Sequence, residues 1–254
     1  MNEPVLLPGE DIAAVGDKVR LIRNGHGLDW GTDAYLLAAY LRPARRACEL
    51  GAGSGVISLL AAAHGKFDFV TAVEIRADMA KLARRNVALN GLEDKVTVME
   101  RDLRLLTHKV VSEEMGGRFD VVFANPPYVA HPGMKNSDDA ADAARHELCG
   151  GIGDFCAAAA RLLNHGGRFY TVFRADRIPD LVCALRENGL EPKRMTFVHP
   201  DRVSPPSFVL TEAKLGGAPR LDVSAPLFFY ADGKDVTPRV MSPETAKIYA
   251  ECSF

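Results

Sequence analysis

Short apolar runs alternate with helix-length segments along most of this chain, and this alternation constrains the fold more than any other feature of the sequence. The runs are nearly continuous in hydrophobic residues, as expected for strands buried on both faces of a parallel sheet. In chain order they are RRACEL, FVTAVE, KVTVME, FDVVFA and RFYTVF, and glycines at positions 65 and 91 close the first two intervening helical segments. Right-handed βαβ units of this kind predict a doubly wound α/β fold.

The last two strands break the parallel pattern. MTFVHP and SFVLTEAK are separated only by a Pro-rich loop, which is too short for a crossover helix. We therefore expect them to form an antiparallel hairpin. The predicted fold class is α/β, with a doubly wound, mostly parallel, seven-stranded sheet and an antiparallel C-terminal edge hairpin.

The chain length of 254 residues predicts one large domain with small appendages. Residues 1–31 read as a Gly-rich N-terminal extension with a possible strand at KVRLI. Residues 32–217 form the expected catalytic domain, which begins with the short helix TDAYLLAAYL, capped by Thr32 or Asp33. Residues 218–254 are expected to be a tail packed on that domain. The polar segment 129–150 has the length of a lid or a binding loop.

The composition bears on whether the chain crosses a membrane, is secreted, or contains disulfides or a metal site. No stretch approaches the roughly 20 apolar residues that span a bilayer, and the first residues do not resemble a secretory signal. The five cysteines lack CxxC spacing, which favours reduced thiols in a cytoplasmic protein and neither disulfides nor a metal site. We therefore expect no membrane and no metal, and the sequence leaves the oligomeric state open.

A glycine-rich stretch, CELGAGSG, lies at the exit of the first strand and predicts a nucleoside site. Glycines there let a ligand approach the backbone and the following helix N-terminus. The spacing is GxGxG, whereas the dinucleotide fingerprint is GxGxxG, so NAD is not favoured. A lone glycine turn would be only structural. Here Glu49, Glu74 and Asp102 close three successive strands at one sheet edge, where nucleosides bind.

The tetrapeptide Asn125-Pro126-Pro127-Tyr128 ends the fourth of these strands, beside the glycine stretch. The prolines end the strand and fix the backbone, so that carbonyl oxygens are stiffly placed. The side-chain oxygen of Asn125 and the backbone oxygen of Pro126 can then both accept from one NH₂ group, and Tyr128 offers a face for stacking. This arrangement suits a planar conjugated amine such as adenine N6 or a carboxamide.

These motifs resemble the class I methyltransferases that use S-adenosyl-L-methionine, over roughly residues 32–215. The resemblance implies a Rossmann-like fold in which Glu74 binds the cofactor ribose and Asp102 reaches the adenine amino group. It implies that the following residues bind the cofactor: Thr32, Glu49, Gly51, Ala52, Gly53, Gly55, Glu74, Ile75, Asp102, Leu103 and Asn125.

The NPPY motif in this context resembles the amino-methyltransferases acting on adenine N6, on guanine N2 or on a glutamine amide. The layout as a whole is similar to the bacterial tRNA(Val) adenine-37 N6-methyltransferase family, in the segment GTDAYLLAAYL before the glycine motif and in the polar loop after NPPY. The resemblance implies N6-methylation of an RNA adenine in a tRNA loop. A glutamine methyltransferase acting on a protein such as a release factor, a guanine N2 rRNA methyltransferase and an inactive nucleoside-binding scaffold are the alternatives.

An RNA partner requires a local basic surface, because the net charge of the chain is only -2. Four cations surround the expected C-terminal hairpin and are the candidates for phosphate contact: Lys193, Arg194, Arg202 and Lys214.

Overall fold

The computed structural model describes residues 5–24, 31–127, 150–233 and 237–254. The strands in these ranges are β1 (Glu10–Val15), β2 (Val19–Asn24), β3 (Ala44–Leu50), β4 (Phe67–Glu74), β5 (Val96–Glu100), β6 (Phe119–Ala124), β7 (Leu163–Arg174), β8 (Leu190–His199), β9 (Phe208–Leu215), β10 (Asp222–Val223) and β11 (Leu227–Phe228). The α-helices in the same ranges are α1 (Thr32–Tyr40), α2 (Val56–Ala63), α3 (Ala77–Leu89), α4 (His108–Glu113), α5 (Ile152–Leu162), α6 (Ile178–Glu187) and α7 (Pro243–Glu251).

The main sheet has the strand order β10-β8-β9-β7-β6-β3-β4-β5, with β11 also paired to β8. Five neighbouring strands of this sheet pair in parallel, in the spatial order β5, β4, β3, β6 and β7. Strand β9 is antiparallel to both β7 and β8. The seven long strands and the antiparallel hairpin confirm the predicted fold class. Two short strands from the tail, β10 and β11, run parallel to β8 and cover its outer edge.

Strand β6 shows why the sheet is covered on both faces. Its residues alternate between two hydrophobic cores, with Val121 and Phe123 in one and Val122 and Ala124 in the other. Helices α1, α2 and α7 contribute to the first core, and α4, α5 and α6 contribute to the second. A strand buried on both sides has no polar face to expose, which explains its continuous apolar run.

The N-terminal extension contains more structure than the single strand expected at KVRLI. Strands β1 and β2 form an antiparallel hairpin that is a separate two-stranded sheet. Two asparagine side chains hold this hairpin, one in α3 and one directly after it. Asn86 Oδ1 accepts from Ile22 N–H at 2.7 Å, and Asn90 Oδ1 accepts from Arg20 N–H at 2.9 Å. An ion pair between Glu10 and Arg85 adds to this contact.

The C-terminal residues pack on the first hydrophobic core. Phe229, Ile248 and Cys252 are buried in it, and the ring of Tyr249 in α7 stacks on Tyr35 of α1 with 4.1 Å between ring centroids. No helix in the described ranges is long and apolar enough to cross a bilayer.

Candidate active site

The glycine stretch forms a tight turn between β3 and α2. Gly51, Gly53 and Gly55 have φ angles of 70°, 55° and 84°, in the left-handed region that favours glycine. A Cβ on Gly51 would lie 3.3 Å from the ring of Phe155, so a side chain there would also crowd that ring. The result is a backbone surface that a ligand can approach closely.

Glu74 at the end of β4 organises this turn. Its side chain is buried, and Oε2 accepts from Gly53 N–H at 2.7 Å while Oε1 accepts from Arg76 N–H at 2.9 Å. Each carboxylate oxygen can accept more than one hydrogen bond, so both retain capacity for ligand hydroxyl groups. A negative charge is thereby fixed beside the glycine turn.

Asp102 provides a second carboxylate at the next strand end. It follows β5 and caps the 3-10 turn Leu103–Leu105, accepting from Arg104 N–H at 2.8 Å. Its side chain also pairs with the Arg104 guanidinium at 2.6 Å. The hydrogen bond from the Arg104 side chain lowers the pKa of Asp102 below its ordinary value, and this keeps the carboxylate ionised as a hydrogen-bond acceptor.

Asn125 lies directly after β6, and its side chain contacts the start of α1. Its Nδ2 donates to Asp33 Oδ2 at 2.8 Å. Since a carboxylate only accepts, the amide nitrogen must face Asp33, and the amide oxygen is on the other branch of the side chain. Tyr128, the last residue of the motif, lies outside the described residues.

One cavity of about 210 Å³ brings most of these side chains together. Eight of its lining residues are among the predicted site residues: Gly51, Gly53, Glu74, Ile75, Asp102, Leu103, Asn125 and Pro127. Five others were missed by the sequence analysis: Val73, Arg76, Met79, Arg101 and Phe155. Three of the missed residues are chain neighbours of predicted ones, whereas Met79 and Phe155 reach the cavity from the first turns of α3 and α5.

Five predicted residues do not line this cavity: Thr32, Glu49, Ala52, Gly55 and Pro126. Glu49 is buried behind the glycine turn, where Oε2 accepts from Ser58 N–H at 3.1 Å and also from the Ser58 hydroxyl. Burial raises the pKa of Glu49 to about 8, although the hydrogen bonds from Ser58 oppose this effect. In this structure Glu49 therefore supports the first turn of α2, and a direct contact with the cofactor stays a prediction.

The four cations proposed for RNA contact lie at the two ends of the antiparallel hairpin. Lys193 and Arg194 lie in the first half of β8, and Lys214 lies near the end of β9, opposite Arg168 of β7. The Arg194 guanidinium stacks on Tyr40 at 3.9 Å. The antiparallel register pairs Glu191 with Lys214 and Arg194 with Glu212, so Lys193, Arg194 and Lys214 lie at one end of the hairpin. Contact between these cations and RNA stays a prediction.

Among the four candidate cations, Arg202 lies at the same edge of the main sheet as Asn125. It follows β8, whose carboxyl end is on the same side of the sheet as that of β6. The hydrogen bond from Ala175 N–H to Ser207 O ties the same loop to the end of β7. Arg202 is exposed, with its guanidinium 4.9 Å from the centroid of the Phe228 ring.

The cavity fits a nucleoside cofactor by the chemistry of its lining. It combines a side-chain-free glycine turn, two carboxylates at neighbouring strand ends and apolar contacts from Met79, Leu103 and Phe155. The described residues do not bring together three or more metal-ligating side chains. Fold and site together define a methyltransferase of the α/β type.

Comparison with known proteins agrees with this class. The family pattern of the methyltransferase small domain matches residues 24–180. A tRNA1(Val) (adenine(37)-N6)-methyltransferase from Phocaeicola vulgatus is 32% identical over 186 residues, which cover 72% of this chain and 76% of the relative. The chain belongs to the methyltransferase small domain family, and the expectation of an S-adenosylmethionine-dependent methyltransferase is confirmed.

Two further relatives show the breadth of the similarity. The enzyme of the same name from Aeromonas hydrophila is 33% identical over 60% of this chain and 62% of its own length. Ribosomal RNA small subunit methyltransferase C from Salmonella choleraesuis is 32% identical over 59% of this chain but only 37% of its own length. Among solved structures, a predicted O-methyltransferase from Agrobacterium tumefaciens shares the fold with a TM-score of 0.68 and 24% identity, covering 88% of this chain and 98% of that one.

Proposed function

We propose that this chain transfers a methyl group from S-adenosylmethionine to the N6 nitrogen of an adenine in a tRNA loop. The observation that carries this proposal is the position of Asn125 and Pro127 on the wall of the same cavity as Glu74 and Asp102. Asn125, the proposed hydrogen-bond acceptor for the target amine, therefore lies beside Glu74 and Asp102, the carboxylates proposed to bind the nucleoside of the cofactor.

The chain's own residues account for cofactor binding. Glu74 would accept hydrogen bonds from ribose hydroxyls, and Asp102 would accept from the adenine amino group of the cofactor. Gly51 and Gly53 leave room for its methionine end. When bound, S-adenosylmethionine supplies an electrophilic methyl group on a positively charged sulfur.

The target amine is a poor nucleophile because its lone pair is delocalised into the ring. The side-chain oxygen of Asn125 and the backbone oxygen of Pro126 hold its two hydrogens, which favours a more tetrahedral nitrogen with a localised lone pair. Positive charge develops on this nitrogen as the methyl group is transferred, and fixed acceptor dipoles stabilise it until the nitrogen releases one proton to solvent. Positioning supplies the rest of the rate enhancement, and Tyr128 is the proposed stacking surface for the base.

The proposed substrate is supported by the relatives, among which the tRNA enzymes match over the larger share of their length. A base in a loop is already partly unstacked, so placing it in a pocket requires less free energy than flipping it out of a duplex. We assign phosphate contact to Arg202, because it is exposed at the edge where Asn125 lies. Because one relative is named as a ribosomal RNA methyltransferase, methylation of rRNA is the second candidate function.

Methyl transfer from labelled cofactor to three substrates tests this function directly. Unmodified tRNA, ribosomal RNA of the small subunit and a release factor are assayed side by side, and the methylated product is mapped by mass spectrometry. We expect N6-methyladenine in tRNA. Labelled glutamine in the release factor, or label only in ribosomal RNA, would overturn the tRNA assignment.

A further inference from the structure

Asp33 contacts the proposed catalytic motif from a distant part of the chain. It lies in the first turn of α1, 92 residues before Asn125, and its Oδ2 accepts from Asn125 Nδ2 at 2.8 Å. We infer that Asp33 is a positioning residue that orients and polarises the Asn125 amide toward the target amine. This inference rests on the proposed function, in which the amide oxygen of Asn125 is the acceptor.

Orientation is the first consequence of this contact. The two branches of an asparagine amide are nearly equal in size, so packing alone does not decide which one faces the substrate. A carboxylate decides it, because turning the amide would place two acceptor oxygens against each other. With Asp33 present, the end of Asn125 that accepts hydrogen bonds is set before the substrate arrives.

Polarisation is the second consequence. Hydrogen bonds to an ionised group are roughly twice as strong as neutral ones, and hydrogen bonds in a chain strengthen one another. Donation from Nδ2 to a carboxylate increases the negative charge on Oδ1 and improves it as an acceptor. In the proposed complex Asn125 lies between Asp33 and the target amine, so the charge of Asp33 also favours the positive charge that develops on the target nitrogen during methyl transfer.

The surroundings of Asp33 fix its side chain. Gly31 is the N-cap residue of α1, so the expected cap at Thr32 or Asp33 was wrong. A Cβ on residue 31 would overlap Asp33 Oδ1, so a larger residue there would displace the Asp33 side chain from its present position. A carboxylate in the first helical turn is also favoured by the helix dipole.

The tail holds this helical turn from the other side. The ring of Tyr249 in α7 stacks on Tyr35 in the first turn of α1, and the Tyr35 hydroxyl donates to Tyr249 O at 2.8 Å. The first turn of α1 is therefore held by the C-terminal helix. Asn125 is in turn held by Asp33.

A double-mutant cycle between Asp33 and Asn125 tests the inference. Asp33→Ala should lower kcat by about 10- to 100-fold, as expected for a partner that orients another group, and leave cofactor affinity unchanged. Asp33→Asn retains an acceptor without the charge, so its kcat should fall between those of Asp33→Ala and wild type. Adding Asp33→Ala to Asn125→Ala should cause no further loss, because the group that Asp33 orients is already gone.

The matched control is Asp180→Ala, which removes an exposed aspartate from the first turn of another helix and should keep the wild-type kcat. Losses from Asp33→Ala and Asn125→Ala that multiply in the double variant would overturn the inference, since they would show independent roles. A kcat of Asp33→Ala within about twofold of wild type would do the same. The cycle is run on whichever substrate the wild-type chain methylates, so a wrong substrate assignment does not affect it.

Hydrogen exchange of the Asn125 side-chain amide tests the contact with Asp33 without requiring enzyme turnover. In the ¹⁵N-labelled chain, hydrogen exchange of the Asn125 side-chain amide should be slow in wild type and fast in Asp33→Ala, with the resonance assigned by its loss in Asn125→Ala. Equal exchange in wild type and Asp33→Ala would contradict the proposed contact.

Discussion

The buried carboxyl of Glu49 should make the stability of the protein depend on pH, and Glu49→Gln should remove that dependence. Burial raises the pKa of Glu49 to about 8 from an ordinary value of 4.5. Between these values the folded state retains a proton that the unfolded state releases, so the free energy of unfolding falls as pH rises. Each pKa unit corresponds to about 1.36 kcal/mol, so the full effect is roughly 5 kcal/mol.

The assay is urea unfolding of wild type and Glu49→Gln, without cofactor, at several pH values from 5 to 7.5. Glutamine retains an oxygen for Ser58 N–H but carries no titrating proton. The stability of Glu49→Gln relative to wild type should therefore increase by about 3 kcal/mol across this range.

Asp176→Asn is the control for this experiment. The hydrogen bond from Arg174 lowers the pKa of Asp176, so its contribution to stability is present above the unfolded pKa and is lost only as pH falls below it. Its difference from wild type should stay constant between pH 5 and 7.5. A stability difference between Glu49→Gln and wild type that changes by less than about 1 kcal/mol over the same range would refute the reasoning about burial.

Three further outcomes are expected from the site. Glu74→Ala should weaken cofactor binding by roughly 1.5–3 kcal/mol in calorimetry, since it removes charge-assisted hydrogen bonds; unchanged affinity in a folded variant would argue against the ribose assignment. Asn125→Ala should lower the single-turnover rate by about 10²–10³-fold at saturating cofactor, and a parallel loss of cofactor affinity would contradict its assignment to the amine. Arg202→Gln should reduce the log-log salt slope of tRNA binding by about one, whereas Lys193→Gln, in the first half of β8, should leave the slope unchanged. Equal slopes for both variants would contradict the assignment of Arg202 to a phosphate.

The sequence predicted the parts of the fold and site that local patterns specify. The apolar run from Val121 to Ala124 predicted a strand buried on both faces, and β6 is one. The glycine turn and the carboxylates of Glu74 and Asp102 were found because each ends a strand of a parallel sheet. Carboxyl ends of parallel strands meet at one edge, so these groups could be brought together without knowing any distance.

Local sequence patterns could not predict the contacts between segments that are distant in the chain. Phe155 and Met79 reach the cavity from helices, and the crossing of a helix over a sheet depends on packing that neither segment encodes alone. The β1–β2 hairpin depends on Asn86 and Asn90, about seventy residues further along the chain. Arg194 was a candidate for phosphate contact, and its stacking on Tyr40, far away in the sequence, could not be predicted from either segment alone.

The stacking of Tyr249 on Tyr35 makes the proposed orientation of Asn125 depend on whether α7 has been synthesised. The strands that carry the glycine turn and Asn125 leave the ribosome well before α7 does, and domains begin to fold as they emerge. Until α7 is translated, the first turn of α1 lacks the ring of Tyr249 that stacks on Tyr35. A nascent or prematurely terminated chain could thus fold most of its sheet and still present Asn125 to a substrate in an unfixed orientation.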